Sequence, residues 1–322
     1  MNKKVIILHN EVTGQSNPDE IDVLQQARLV SDAYEDLGYK PFLMQLGKNL
    51  YDDIIKVKEA NPLFVFNLVE AAFGKGELLY IGPALMHALH IPYTGVPHDA
   101  LFLTTSKVLT KEMLLLHNIP TPGFFKVTET CKLTDRKQYI VKPVWEDGSV
   151  GLDEDSVFTA GNKSLLVKIK TLPDSHFFIE EFIDGREFNI SILGGKDKVD
   201  VLQPAEMIFR NYPEGKPKML GYKAKWDENS TEYKNTARSF ETLDASSQLF
   251  EKLKKICLDC WQHFQLKGYA RVDFRLDENE KPYVIEINGN PCIAPDSGFI
   301  AAAHHAGFDN KTIIKRISEE LN

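Results

Sequence analysis

The sequence predicts an α/β protein: an N-terminal open parallel α/β domain, followed by a two-part α+β region that carries the chemistry. Three observations predict it. Strand-length apolar runs alternate with helix-period segments over residues 1–96. Apolar strands then recur at 139–142, 177–182 and 188–193, with a glycine-bearing loop after the first. Near the end, RVDFRLDENEKPYVIEINGNP reads as two strands joined by a polar turn. At 322 residues the chain exceeds one typical core. It is therefore divided into units at 1–96, 97–183 and 184–322.

Val5 to Leu8 form the first strand. Asn17-Pro18-Asp19-Glu20 has the form of a helix start, with Asn17 as N-cap and Pro18 in the first turn. Val23, Ala27, Val30, Tyr34 and Leu37 recur at helical spacing, and Gly38 stands where a glycine stops a helix. A strand at 41–45, a helix at 52–59 and a strand at 63–68 continue the alternation. In such sheets the loops at the strand ends form the binding edge. Thr94-Gly95-Val96-Pro97 reads as a link out of this unit. A helix over 104–117 follows, ending before Ile119-Pro120-Thr121-Pro122. The last third adds strands at 188–193 and 199–205, a long helix over 245–264, the hairpin, and a final helix over 310–321.

Composition narrows the function. The chain is 43% hydrophobic and 26% charged, ordinary values for a globular protein. A net charge of −8 argues against nucleic acid or an anionic membrane as partner. The apolar run after Met1-Asn2-Lys3-Lys4 is cut off at His9, too short for a signal peptide, and no stretch has the length of a membrane span. A cytoplasmic location is expected. Cys257 and Cys260 make a CxxC, but inside a helical pattern and without a second ligand pair, so zinc is not expected there.

The hairpin carries the strongest chemical signal. Alternation puts Val272, Phe274 and Leu276 on one face, and pairing brings Asp273, Glu286 and Asn288 to one end with Arg271 beside them. Carboxylate and amide oxygens with a nearby arginine suit a Mg²⁺–nucleotide site, because Mg²⁺ takes hard oxygen ligands and substrate phosphates. Lys142 ends the strand Tyr-Ile-Val-Lys-Pro, just before a loop containing Gly148 and Gly151. A lysine above a glycine-bearing loop can hold a phosphate. Phe178-Ile179-Glu180-Glu181-Phe182-Ile183 is a strand entering a linker, with Glu187 just beyond it. It combines the apolar slot an adenine needs with a carboxylate for ribose hydroxyls.

In this order, Lys107, Lys142, the 148–151 loop, Glu180 to Ile183, Glu187, Arg271, Asp273, Glu286 and Asn288 resemble the ATP-grasp superfamily. Within it, the chain resembles the D-alanine–D-alanine ligase family over essentially its whole length. The resemblance implies a fold of two subdomains clamping ATP after the N-terminal domain. It also implies an ATP-dependent carboxylate–amine ligase acting through an acyl phosphate. Lys107 and Lys142 match the two ATP lysines, Ser149 a loop serine, and Glu180, Glu181, Phe182, Ile183 and Glu187 the adenine–ribose strand. Asp273, Glu286 and Asn288 match the ligands of Mg²⁺, with Mn²⁺ as the alternative ion. Arg271 matches the transition-state arginine, and Lys225 a lysine near the acyl phosphate. Ser297 matches the serine that takes the second substrate's carboxylate. Amino-acid-like small molecules are the implied substrates, and a homodimer is a family-level expectation.

Departures from the family pattern cluster on the substrate side. The N-terminal Gly-Gly-x-Ser-x-Glu segment has no match in His9 to Ser16, leaving Glu11 or Glu20 as substitutes for its glutamate. Gly148 stands for the serine that partners this glutamate, and Trp226 for a tyrosine, so the family's hydrogen-bonded triad is absent in that form. Glu70 and Glu77 are the acidic candidates around Phe66-Asn67-Leu68-Val69-Glu70, which replaces a histidine-bearing segment. Cys292 replaces a glycine whose N–H serves as oxyanion donor, and Asp296 beside Ser297 favours an amine over a carboxylate. The contrasting class is an ATP-binding sensor or partner subunit without ligase activity. The intact lysine, arginine and metal-ligand set argues against it.

Overall fold

The computed structural model describes residues 3–13, 21–134, 137–146 and 151–322. Strand β1 (Lys4–Asn10) is central in a parallel sheet, flanked by β2 (Lys40–Leu46) and β3 (Phe64–Leu68). Val5 to Leu8 are fully buried because helices cover both faces of such a sheet. Helix α1 (Val23–Asp36) buries Val23, Ala27, Val30 and Tyr34, four of the five residues singled out by their spacing; Leu37 is its half-buried C-cap. Gly38, at φ +78°, terminates it as expected. The helix start at Asn17 lies outside the described residues. Helix α2 (Leu50–Glu59) has Asp52 and Asp53 in its first turn and Lys56 and Lys58 in its last, matching the helix dipole. Helix α3 (Ile81–Ala88) completes this unit.

The helix expected over 104–117 is two helices, α4 (His98–Thr105) and α5 (Lys107–Leu116). Ser106 between them is extended, at φ −80° and ψ 103°, and its side chain accepts the Leu109 N–H. A serine N-cap restarts the helix at Lys107 and so fixes where that lysine points. An antiparallel sheet follows in the order β4 (Phe124–Lys126), β7 (Phe177–Glu181), β5 (Gln138–Pro143) and β6 (Val157–Thr159). Helix α6 (Lys163–Ile169) packs beside it.

The third sheet runs β11 (Thr236–Ser239), β10 (Ala205–Phe209), β8 (Glu187–Leu193), β12 (Tyr269–Leu276) and β13 (Pro282–Asn288), with β9 (Asp200–Val201) paired to β8. The single strand expected over 199–205 is thus two. Pro204 has no N–H for a ladder, and the chain leaves β8 at one end only to rejoin it at Ala205. Two short helices, α7 (Tyr222–Trp226) and α8 (Thr231–Asn235), lie between β10 and β11. Helix α9 (Gln248–His263), N-capped by Ser247, buries Leu253, Cys257 and Cys260 against β8 and β12. The two thiols are packed core, and burial pushes both thiol pKa values up, as expected of a structural pair.

Helices α10 (Gly298–His305) and α11 (Asn310–Ile317) close the chain. The last helix stops at Ile317, short of the expected Leu321. Phe299, Ile300, Ile313 and Ile314 share one core with Val5, Ile7, Ala27 and Phe66. The C-terminal helices, packed on β8 and α1, therefore tie the third sheet and the N-terminal unit into one core.

Gly185, between β7 and β8, sits where a Cβ would lie 2.0 Å from the Leu276 carbonyl oxygen. The neighbouring Leu276 N–H to Arg186 carbonyl bond of 2.9 Å stitches this turn to β12. Gly185→Ala must displace backbone, so a loss of about 3 kcal/mol is expected in urea unfolding. A loss under about 1 kcal/mol would show that the turn yields.

Candidate active site

Pairing of β12 with β13 puts Asp273 opposite Glu286 and Arg271 opposite Asn288. Directly opposed residues share a sheet face, so all four point to one side. Asp273 aligns with Glu286, but Phe274 aligns with Val284, so Ile285 is an extra residue. This bulge lets Val284 and Ile287 both enter the core while Glu286 and Asn288 stay on the open face.

The charges at this rim are mutually held. Arg271 donates from Nε to Asp273 Oδ1 at 2.7 Å and from Nη2 to Oδ2 at 2.8 Å, a bidentate pair. Lys107, buried at the head of α5, lies 3.2 Å from Glu286 Oε1 and donates to the Glu146 carbonyl at 2.6 Å. Lys225, on α7, completes the group. Burial lowers its pKa and the Arg271 charge lowers it further, against the pull of Glu286 and Asp273.

Asp273, Glu286 and Asn288 supply two carboxylates and one amide. Among the described residues, no cluster of three or more His, Cys, Asp or Glu could hold a metal ion. A site with only two carboxylates suits Mg²⁺, which keeps waters and substrate oxygens in its shell, and not an ion that needs a full protein cage.

Beside this rim a cleft of about 70 Å³ is lined by Lys142, Phe182, Ile183, Glu187, Met219 and Ile285. Lys142 and Glu180 sit on paired strands, with Nζ 3.1 Å from Glu180 Oε1. Glu180 is 2% exposed, and its carboxylate is occupied as a counter-ion. Burial alone would raise its pKa, but Lys111 and Lys142 outweigh that and hold it below the usual carboxylate range. Glu181 turns outward to Lys137 at 2.6 Å. Glu187 accepts from Arg275 Nη2 at 2.7 Å, and Arg275 also holds the Ile183 carbonyl at 3.0 Å and stacks 5.0 Å from the Phe182 ring centre. Arg275 was missed in the sequence, where it reads as an ordinary strand residue; its alternation in phase with Arg271 and Asp273 was the available signal. Ser149 and Gly148 lie outside the described residues.

A larger cavity of about 840 Å³ opens at the carboxyl ends of β1, β2 and β3, the edge an open α/β sheet predicts for binding. It runs from Asn10, Gly47 and Glu70 to Lys225, Trp226, Arg271, Asn288 and Ser297. Glu11 lines it; Glu20 lies outside the described residues. Glu70 lines it too, while Glu77 sits 3.6 Å from Lys75 and is not part of the wall. Ser297 N-caps α10, accepting the Ile300 N–H at 3.3 Å.

Cys292 donates its thiol to Asp22 Oδ2 at 2.9 Å, and burial with the Asp22 charge pushes the thiol pKa up. Gln26, buried on α1, reaches Asp22 at 3.4 Å and Glu70 at 3.0 Å, and accepts the Ile293 N–H at 3.1 Å. Burial also raises the Asp22 pKa, with Asp296 adding to it. Neither Asp22 nor Gln26 is distinguishable in the sequence from other polar positions at a helix start.

The chain matches the family described as the D-ala D-ala ligase C-terminus over residues 125–319. The D-alanine–D-alanine ligase of Aquifex aeolicus is 28% identical over 319 residues, covering 98% of this chain and 99% of that protein. An uncharacterised protein of Sinorhizobium fredii is 29% identical over 317 residues, covering 94% of this chain and 90% of its own length. Two solved structures share the fold. The D-alanine–D-alanine ligase of Bacillus anthracis complexed with ATP aligns at a TM-score of 0.72 and 22% identity, covering 99% of this chain and 96% of that one. The D-alanyl-alanine synthetase A of Vibrio cholerae aligns at 0.74 and 17%, covering 99% and 98%. No helix among the described residues is long and apolar enough to cross a membrane. With the ATP-grasp arrangement of its sheets and the family match over more than half its length, the chain belongs to the D-alanine–D-alanine ligase family and is an ATP-dependent ligase of that type.

Proposed function

We propose that the protein joins an amine to a carboxylate, both from amino-acid-like substrates, through an acyl phosphate, releasing ADP and phosphate. The observation that carries this reading is the facing of Asp273 and Glu286 across β12–β13, both lining the smaller cleft, with Lys107 against Glu286 and with Arg271 and Asn288 lining the larger cavity. The units bounded near residues 96 and 184 are proposed as the substrate-side domain and the two halves of the ATP clamp.

In this mechanism a substrate carboxylate oxygen attacks the γ-phosphorus of ATP, and the bond to the β-phosphate oxygen breaks. The amine, its ammonium proton given up to solvent, attacks the acyl carbon; the C–O bond to phosphate breaks, and the departing phosphate takes the proton that the nitrogen loses as the amide forms. Lys107, Lys142 and Arg271 supply fixed positive charge around the transferring phosphoryl group, where positioning and electrostatics do most of the catalysis. Asp273, Glu286 and Asn288 would hold Mg²⁺, or Mn²⁺ in its place, which when bound neutralises charge on the β- and γ-phosphates. Phe182, Ile183 and Glu187 serve the adenine and ribose; the Glu180 carboxylate is taken by Lys111 and Lys142 and that of Glu181 by Lys137, so these two take part through the strand's backbone and not through their side chains. Ser149, outside the described residues, is proposed for the phosphates on its sequence match. Lys225 faces the acyl phosphate, and Ser297 takes a substrate carboxylate.

Around Glu70, Trp226 and Cys292 the wall differs from the family pattern, which supports substrates other than a pair of D-alanines. Phosphate release from Mg-ATP, measured against a panel of D- and L-amino acids, tests the reading. Release that depends on one or two panel members is expected. ATP binding without release across the panel would favour a nucleotide-binding protein, and release with D-alanine alone would overturn the inference about the altered wall.

A further inference from the structure

Lys111 is one helical turn beyond Lys107 on α5 and is 1% exposed, among the largest fully buried side chains in the protein. A buried lysine is costly unless its charge is met. Its Nζ lies 2.6 Å from Glu180 Oε2 and donates to Thr121 Oγ1 at 2.9 Å. Thr121 passes the bond on to the Val284 carbonyl at 2.8 Å, and the Val284 N–H bonds the Pro120 carbonyl at 2.8 Å. Lys111 thus joins α5, the middle strand β7 and the stretch of β13 just before Glu286. None of the chemical steps above uses it.

Glu180 has two lysines and one negative charge. Its Oε1 is 3.1 Å from Lys142, and its Oε2 is 2.6 Å from Lys111. Without Lys111, the whole Glu180 charge would fall on Lys142, and a neutralised Lys142 attracts phosphate weakly. With Lys111 present, the buried trio keeps one net positive charge. Burial, with the Lys142 charge, brings the Lys111 pKa down to about 8, against the pull of Glu180, so the ammonium form prevails at neutral pH.

We propose that Lys111 is a positioning residue for nucleotide binding: by taking up the charge of Glu180, it leaves that of Lys142 available to the phosphates of ATP. This rests on the reading of Lys142 as a phosphate ligand. The consequence is an unusual pattern of rescue. Lys111→Met should weaken Mg-ATP binding, because Glu180 then neutralises Lys142. Removing the glutamate as well, in Lys111→Met/Glu180→Gln, should restore binding, because Lys142 is freed again. A purely structural lysine would give the opposite order, since the double variant loses both halves of a buried ion pair. Lys111→Met alone leaves Glu180 paired to Lys142, so no buried charge is orphaned and the variant is expected to fold.

The test is the dissociation constant of Mg-ATP for wild type and both variants, by titration calorimetry at pH 7, with circular dichroism recorded on each. A roughly tenfold weakening in Lys111→Met is expected from the loss of one nearby unit charge, with recovery to within about threefold of wild type in the double variant. Wild-type affinity in Lys111→Met, or a double variant no tighter than the single one, would overturn the proposal while leaving the ligase reading intact. A wild-type protein that does not bind Mg-ATP would overturn both. If Lys111→Met fails to fold while Glu180→Gln folds and binds as wild type, the lysine is structural and the proposal is overturned.

Discussion

Asp273→Asn is expected to lower substrate-dependent phosphate release by about a thousandfold while leaving the fold in place. The asparagine keeps the shape and one oxygen of the aspartate but removes the charge that a divalent ion and the transferring phosphoryl group both require. Folding should survive because the partner left behind, Arg271, is half-buried at the rim and can turn its charge to water. The far-UV spectrum and melting curve should match wild type, and the Mn²⁺ dissociation constant should rise by at least about tenfold. Unchanged turnover, or unchanged Mn²⁺ affinity, would remove Asp273 from the metal site.

Arg271→Met should also cost about a hundredfold to a thousandfold in kcat, but with a different signature. In the structure Arg271 holds both carboxylate oxygens of Asp273. A cation seated on Asp273 must compete with that guanidinium, so removing it should leave metal affinity the same or tighter even as turnover falls. Steady-state kinetics together with Mn²⁺ binding separate the two roles. A parallel loss of both would mean that Arg271 acts by ordering Asp273, not by stabilising transferring charge.

The hairpin was legible because its chemistry is written in alternation. Apolar Val272, Phe274 and Leu276 mark the inner face, which forces Arg271 and Asp273 outward. What alternation could not show is the extra residue at Ile285, since YVIEIN looks like an unbroken strand. The Ser106 break was hidden for a similar reason, as the apolar spacing runs on across it, although Thr-Thr-Ser before a helical segment is a capping signal.

Lys111 was the largest omission within the site. A lysine on a helix reads as solvent-facing, and only the arrival of Glu180 from β7 makes its burial affordable. On the substrate side, sequence comparison located the departures at Trp226 and Cys292 but could not show what fills the space. Gln26 and Asp22 come from α1, far away in the chain, and meet Cys292 only through folding.

The distribution of the cysteines has a practical side. Cys257 and Cys260 are sealed in the core, and Cys292 is half-buried with its thiol proton held on Asp22; in all three the reactive thiolate is suppressed. Cys131 alone is exposed, in the short helical segment after β4 that packs against the sheet carrying Lys142. Maleimide chemistry on the native protein therefore has one fast address. A dye placed there sits on a segment packed against the sheet that holds a proposed phosphate ligand, giving an optical report of that sheet's movement without engineering a new cysteine.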